Sequence, residues 1–186
     1  MLKQLDLNDA STLFELMQHP EVFPYVREKA ETIDQFYFLT KQVIEKELAN
    51  EIISRTICTE YGEPIGSISL YNIKNKAGFL NTWLGKPYFG KGYSQYSKEK
   101  FFSELFYETE IETIYLKIRK DNIRSLKSTE KLPYATFANH SYLDIYEQIN
   151  QHKEMFDLYV VEKHNYLSTI TLHTGIPENS TEVIVG

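Results

Sequence analysis

Between Trp83 and Ser94 the chain reads Trp-Leu-Gly-Lys-Pro-Tyr-Phe-Gly-Lys-Gly-Tyr-Ser, a glycine-rich turn between a strand-like stretch and a helix-like one. The chemistry such a segment offers is anion binding. Without a Cβ, Gly90 and Gly92 let the backbone take left-handed angles and turn successive N–H groups toward one phosphate, and the helix that follows adds the positive end of its dipole. The same residues also suit a plain strand-to-helix turn, so the rest of the chain has to decide. Two nucleotide loops are excluded. From Gly85 the spacing almost makes Gly-x-x-x-x-Gly-Lys, but Gly92 stands where a magnesium-binding hydroxyl is required. A dinucleotide fingerprint needs a third glycine where Gln95 stands, and an earlier place in the chain.

Other reactive side chains are sparse. Cys58 is the single cysteine, beside Ile57, and reads as a small buried hydrophobe rather than a nucleophile. His19, His140, His152, His164 and His173 show no i,i+4 pairing with a carboxylate partner, so no metal site is expected.

The elements that must position the loop follow from the pattern of apolar residues. Leu2 to Leu5 suits a short strand, and Asp9 suits the cap of a helix through Leu13, Leu16 and Met17 that ends before Pro20. The spacing from Thr32 to Asn50 predicts a second helix. Ile52–Thr59 and Ile65–Tyr71 flank the turn Tyr61-Gly62-Glu63-Pro64 and form a hairpin; Gly78–Leu84 is the third strand and delivers the chain into the glycine loop. Ser94 to Tyr107 is a helix with Phe101, Phe102, Leu105 and Phe106 on one flank. Thr113–Arg119 is a strand, Ser125–Leu132 a short helix stopped by Pro133, and Met155–Val161 the last strand. The result is an α+β fold, a mixed sheet with helices packed on it.

The chain has 186 residues, 42% of them apolar, enough for one domain with a real core. We expect residues 1–166 to form that domain and 167–186 a polar tail with a brief Val183-Ile184-Val185 run. The start lacks an apolar signal segment and no stretch reaches membrane-spanning length, so a cytoplasmic location and no membrane partner are expected. The net charge of −6 argues against nucleic acid. Residues 86–131 hold ten of the 20 Lys and Arg against seven of the 26 Asp and Glu, a local +3 that leaves −9 elsewhere. That division suggests a polyanionic cofactor at the loop and a cationic partner for the remainder.

The order of elements resembles the GCN5-related N-acetyltransferase (GNAT) superfamily from about Leu2 to Lys163, closest to its RimJ/RimL-like branch of ribosomal-protein N-terminal acetyltransferases. Four segments carry the likeness: Pro64-Ile65-Gly66, the loop from Trp83 to Tyr93, Asn122-Ile123-Arg124-Ser125, and Glu130-Lys131-Leu132. The resemblance implies a mostly antiparallel sheet with helices on both faces and a V-shaped splay between two parallel strands, where acetyl-CoA binds as acetyl donor. It implies that the N–H groups of Phe89, Gly90, Lys91, Gly92, Tyr93 and Ser94 hold the pyrophosphate. Trp83, Leu84 and Gly85 would pair with the pantetheine amides, one N–H there meeting the oxyanion, and Asn122 would meet the pantetheine arm. It further implies Ser125 as proton donor to the departing thiolate, and Glu147 of Glu147-Gln148-Ile149-Asn150 as a base acting through water in a turn before the last strand. Asn122 as a loop cap before the helix, Ser125 as a helix cap and Glu147 as a solvated carboxylate are the alternatives.

Three residues depart from the superfamily pattern. Thr129 stands at the tyrosine that is elsewhere the general acid, Pro133 at a glycine, and Pro87 at a Gln or Arg. The expected activity is transfer of acetyl to a primary amine, either a protein N-terminus or a small cationic amine, by direct attack on the thioester. A catalytically weak or inactive CoA-binding module is the alternative. A homodimer is compatible with either.

Overall fold

The structure, a computed structural model, describes residues 1–174; the Val183-Ile184-Val185 run lies outside the described residues. Three strands, the isoleucine-bearing β2 (Ile53–Cys58) and β3 (Pro64–Lys74) and β4 (Ala77–Leu84), pair antiparallel as a meander. Strand β1 (Leu2–Gln4) adds to its outer edge. Strands β5 (Thr113–Arg119), β6 (Ala135–Phe137) and β7 (Phe156–Glu162) complete a seven-stranded sheet in the order β1-β2-β3-β4-β5-β7-β6. All neighbours are antiparallel except β4 and β5.

That parallel pair is short. It holds only where Ala77–Phe79 face Thr113–Tyr115, and beyond it the two strands run on unpaired with each other. A strand's side chains alternate between faces. Leu80 and Leu84 of β4, and Ile114, Leu116 and Ile118 of β5, enter the large core beneath helix α3 (Tyr93–Glu108). There Phe101, Phe102, Leu105 and Phe106 are fully buried, and each phenyl ring contributes on the order of 2–3 kcal/mol of burial.

On the opposite face, helices α1 (Ala10–Met17) and α2 (Ile33–Leu48) lie on the first half of the sheet, where Leu13 and Met17 pack with Trp83. Helix α5 (Leu143–Asn150) covers the second half, around Leu158 and Val160. Between these two coverings lies the divergence of β4 from β5. Short helix α4 (Ile123–Thr129) follows β5.

The second and third helices and the meander lie where their patterns predict, with Thr32 Oγ1 accepting from the Gln35 N–H to start α2. Asp9 does not cap α1 with its side chain. Its buried carboxylate instead accepts from Lys3 Nζ at 2.8 Å and Thr56 Oγ1 at 3.3 Å, tying the first turn to the sheet, while Asp6 caps the 3-10 turn Leu7–Asp9. Strand β6, helix α5 and helix α6 (Lys163–Thr174) were not foreseen. The domain boundary expected after Tyr166 falls inside α6, whose Tyr166 is buried and whose Leu167 and Ile170 pack on the main core.

Candidate active site

The point where β4 leaves β5 exposes main-chain groups by a simple alternation. The Gly85 N–H donates to the Ile65 carbonyl at 2.8 Å, which makes odd-numbered residues of β4 the ones bonded to β3. Leu80, Thr82 and Leu84 therefore turn their N–H and C=O groups toward β5; the Leu80 N–H closes the last pair, on the Tyr115 carbonyl, and beyond it no strand receives the groups of Thr82 and Leu84. An extended ligand with amides of its own could pair there. Leu84 fits the expected pantetheine edge, but Trp83 and Gly85 do not: both fall in the phase bonded to β3, the Gly85 N–H on the Ile65 carbonyl and Trp83 opposite Ser67.

Just beyond, the glycine loop does what its residues suggest. Gly90 and Gly92 have φ of +71° and +84°, and Gly92 is the N-cap of α3. Among the described residues no acceptor takes the N–H groups of residues 90–95, whereas the Phe89 N–H, expected at the pyrophosphate, already donates to the Lys86 carbonyl at 3.2 Å. Six unbonded donors thus stand at the N-terminus of a sixteen-residue helix, whose dipole is positive there. A Cβ at Gly92 would meet nothing within 4 Å, so the cost of a side chain there is conformational alone. Gly92→Ala is expected to lose about 1–2 kcal/mol of stability, read from a urea melt, and to weaken the anion site as the cap is displaced.

A cleft of about 940 Å³ joins the loop to the splay and continues through the sheet to the opposite face. Its lining includes Trp83, Leu84, Phe89, Gly90, Gly92, Tyr93, Ser94, Asn122 and Ser125. Asn122 caps α4, its Oδ1 accepting from the Ser125 N–H at 3.2 Å, which leaves its amide nitrogen free to donate into the cleft. Since Asn122 is the cap, Ser125 is not, and its hydroxyl has no hydrogen-bond partner among the described residues. Thr82 Oγ1 and Thr129 Oγ1, both in the lining, are buried without a partner. Orphaned hydroxyls and unbonded amides along one channel suit a ligand rich in amides and phosphates.

Sequence inspection missed Lys98. It sits on α3, 4% exposed, and its Nζ reaches only Ser128 Oγ at 3.4 Å. With no carboxylate beside it, burial lowers its pKa to about 8. The signal available in the sequence was a lysine among Phe101, Phe102 and Leu105 on the apolar side of the helix.

Residues 1–134 match the acetyltransferase (GNAT) domain family. The chain belongs to that family. No single curated protein sequence matches it. Among solved structures, the Vibrio cholerae spermidine N-acetyltransferase in complex with CoA and spermine is similar at 15% identity, with a TM-score of 0.71 over 90% of this chain and 97% of that one. The apo nucleotide-linked-sugar GNAT FdhC shares 16% identity, with a TM-score of 0.72 over 93% and 92% of the two chains. RimL, a ribosomal-protein α-N-acetyltransferase, shares 17%, with a TM-score of 0.68 over 86% of each. These likenesses match the mixed, mostly antiparallel α+β fold. The protein is a GNAT acetyltransferase.

Within this GNAT cleft the sequence-predicted residues divide. Lys91 is exposed on the loop and does not line the cleft, so only its N–H is placed to serve. Glu147 is exposed on α5, a helix rather than a turn, and is not in the lining. Glu147→Gln is accordingly expected to leave turnover within about twofold of the parent, measured by thiol release. Among the described residues no group of three His, Cys, Asp or Glu is placed to hold a metal ion, and no helix is long and apolar enough to cross a membrane.

Proposed function

We propose that this GNAT domain transfers acetyl to the nitrogen of a primary amine by direct attack, as an enzyme of the RimJ/RimL-like type. One observation carries the reading: the cleft passes through the sheet where β4 and β5 part, with the glycine loop at one mouth and the gap between α1–α2 and α5 at the other. Donor and acceptor can then enter from opposite faces and meet at the unpaired edge of β4.

Acetyl-CoA supplies the thioester carbonyl. The free N–H groups of residues 90–95 bind its diphosphate, and the Asn122 amide and the outward groups of Thr82 and Leu84 hold the arm in an extended form. A β4 N–H facing the opening donates to the oxygen that gains charge as nitrogen adds. Ser125, its hydroxyl otherwise unengaged in the lining, donates to the sulfur as it departs. An α-amine, with a pKa near ~8, loses its proton to solvent without a dedicated base, which fits a lining that holds no carboxylate.

The second reading, a CoA-binding module with little turnover, is favoured by Thr129 alone, a buried hydroxyl at the tyrosine position. Calorimetry with acetyl-CoA tests donor binding, and thiol release with an amine panel tests transfer. Binding without release supports the module, and absence of binding overturns both readings.

A further inference from the structure

The lining of the cleft has a charge quite unlike the protein's own. The chain carries −6 overall, yet seven of the lining residues are Lys or Arg and none is Asp or Glu. Four of the seven, Lys98, Arg124, Lys127 and Lys131, lie on α3, on α4 or just beyond it, near the glycine loop, where a diphosphate accounts for them. The other three do not belong to that group. Ile114, Leu116 and Ile118 of β5 face α3, so alternation turns Lys117 and Arg119 to the opposite face. Arg27 reaches the same face from the segment between α1 and α2.

Each of the three is held over an aromatic ring. Lys117 Nζ lies 4.0 Å from the Phe156 ring centre, Arg27 Cζ 4.2 Å from that of Tyr71, and Arg119 Cζ 5.7 Å from that of Tyr25. Such contacts fix a cation in place without neutralising it. Arg119 and Arg27 also have sequence neighbours as partners, Asp121 at 2.9 and 2.5 Å and Glu28 at 2.5 Å, both outside the cleft lining. Lys117 has no carboxylate within ion-pair distance among the described residues. It is half-buried, and desolvation depresses its pKa. A partly desolvated cation with no counter-charge is a standing cost unless an anion is brought to it.

We propose that the acceptor is a primary amine whose own molecule carries an anionic group, a carboxylate or phosphate, received by Lys117 with Arg27 and Arg119 at the mouth opposite the glycine loop. This rests on the acetyltransferase reading above and replaces the cationic acceptor expected from the acidic remainder of the chain. That acid lies elsewhere on the surface and does not line the cleft. A polyamine would set like charges together in a poorly hydrated channel.

The test uses the full chain and acceptors matched in pairs: glucosamine against glucosamine 6-phosphate, and a Ser-Lys-Lys peptide against Ser-Glu-Glu, with spermidine as a polycation. Thiol release gives kcat/KM, and calorimetry without acceptor gives the acetyl-CoA Kd. The anionic member of at least one pair is expected to be preferred by roughly tenfold or more, and which pair responds separates phosphate from carboxylate. Lys117→Met should reduce the preference to near unity with the acetyl-CoA Kd within about twofold of the parent, and Lys117→Arg should retain it. Preference for spermidine or for the uncharged or basic member of each pair overturns the proposal while leaving the acetyltransferase reading intact. So does a Lys117→Met variant that binds acetyl-CoA more weakly and keeps its acceptor preference, since Lys117 would then serve the donor. Failure of the parent protein to bind acetyl-CoA overturns the underlying reading itself.

Discussion

Lys98→Met is expected to stabilise the ligand-free protein by about 3 kcal/mol at pH 7. In the fold the Lys98 ammonium is 4% exposed, its pKa brought down to about 8 by burial, whereas in the unfolded chain it titrates near ~10.4. Below pH 8 both states hold the proton and the full penalty of a buried charge stands. Between pH 8 and about 10.4 the unfolded chain binds the proton and the native state does not, so stability rises with pH across that window. Chemical denaturation of the parent should therefore show a stability that climbs from pH 8 to 10, and the variant should lack that climb. Methionine fills a similar volume with no charge, and the hydrogen bond it removes, to Ser128 Oγ at 3.4 Å, is long and weak. The gain should come with weaker acetyl-CoA binding, because a cation in the donor's channel is then missing. A residue that lowers stability in the empty protein and raises affinity for the ligand is a recurrent feature of binding sites. If stability falls in the variant at every pH, the lysine is packing through its alkyl stem and the electrostatic account is wrong.

The half of the fold around the glycine loop was legible because local signals there agree. The turn at Gly62, the run of β-branched residues on either side and the glycine pair ahead of a phenylalanine-rich helix all specify the same connections, and the meander, α3 and β5 stand within a few residues of expectation. The second half was less so for identifiable reasons. Strand β6 has three residues, two of them exposed, and exists because Thr136 and Phe137 pair with Val160 and Tyr159; no short-range pattern marks it. Helix α5 begins without a side-chain cap at Tyr142 and buries no residue fully, so its apolar positions Ile145 and Ile149 were too few to outweigh the polar residues around them. Helix α6 has apolar residues on no clear face, and it docks through the rings of Tyr166 against Phe106 and Tyr134.

The backbone of the glycine loop and of the α4 cap was legible for the same reason: glycines that must take positive φ and an asparagine before a short helix declare their backbone roles. The acceptor half was not. Lys117 looks like one polar residue in an alternating strand, the pattern of a solvent-facing position, and only the packing of Phe156 beneath it and the opening beside it show that it points into a channel. Charge totals are limited in the same way, since a sum over the chain carries no information about which side chains share a cavity. Gly85 illustrates a finer limit. The phase of hydrogen bonding along β4 is set by its register with β3, which the sequence does not state, and that phase decides which amides remain for a ligand.

Ser125→Ala should reduce kcat about a hundredfold while leaving acetyl-CoA affinity and stability close to the parent. The magnitude is that of losing a single positioned proton donor. The separation from binding follows from the local structure: the α4 cap uses the Ser125 main-chain N–H, which alanine keeps, and the hydroxyl holds nothing in the ligand-free protein. A change in kcat without a change in donor affinity is the mark of an interaction made only as the carbon–sulfur bond breaks. Two other hydroxyls of α4 line the cleft, and they permit a sharp control. Ser128 is engaged by Lys98 at 3.4 Å, whereas Thr129 is buried with its Oγ1 unpartnered and stands where the superfamily has its acidic tyrosine. Thr129→Val, which preserves shape, should cost far less than Ser125→Ala if Ser125 is the donor. Were the losses reversed, the proton would reach the thiolate from Thr129, the site would be a modified form of the tyrosine arrangement, and Ser125 would serve the edge of the channel alone.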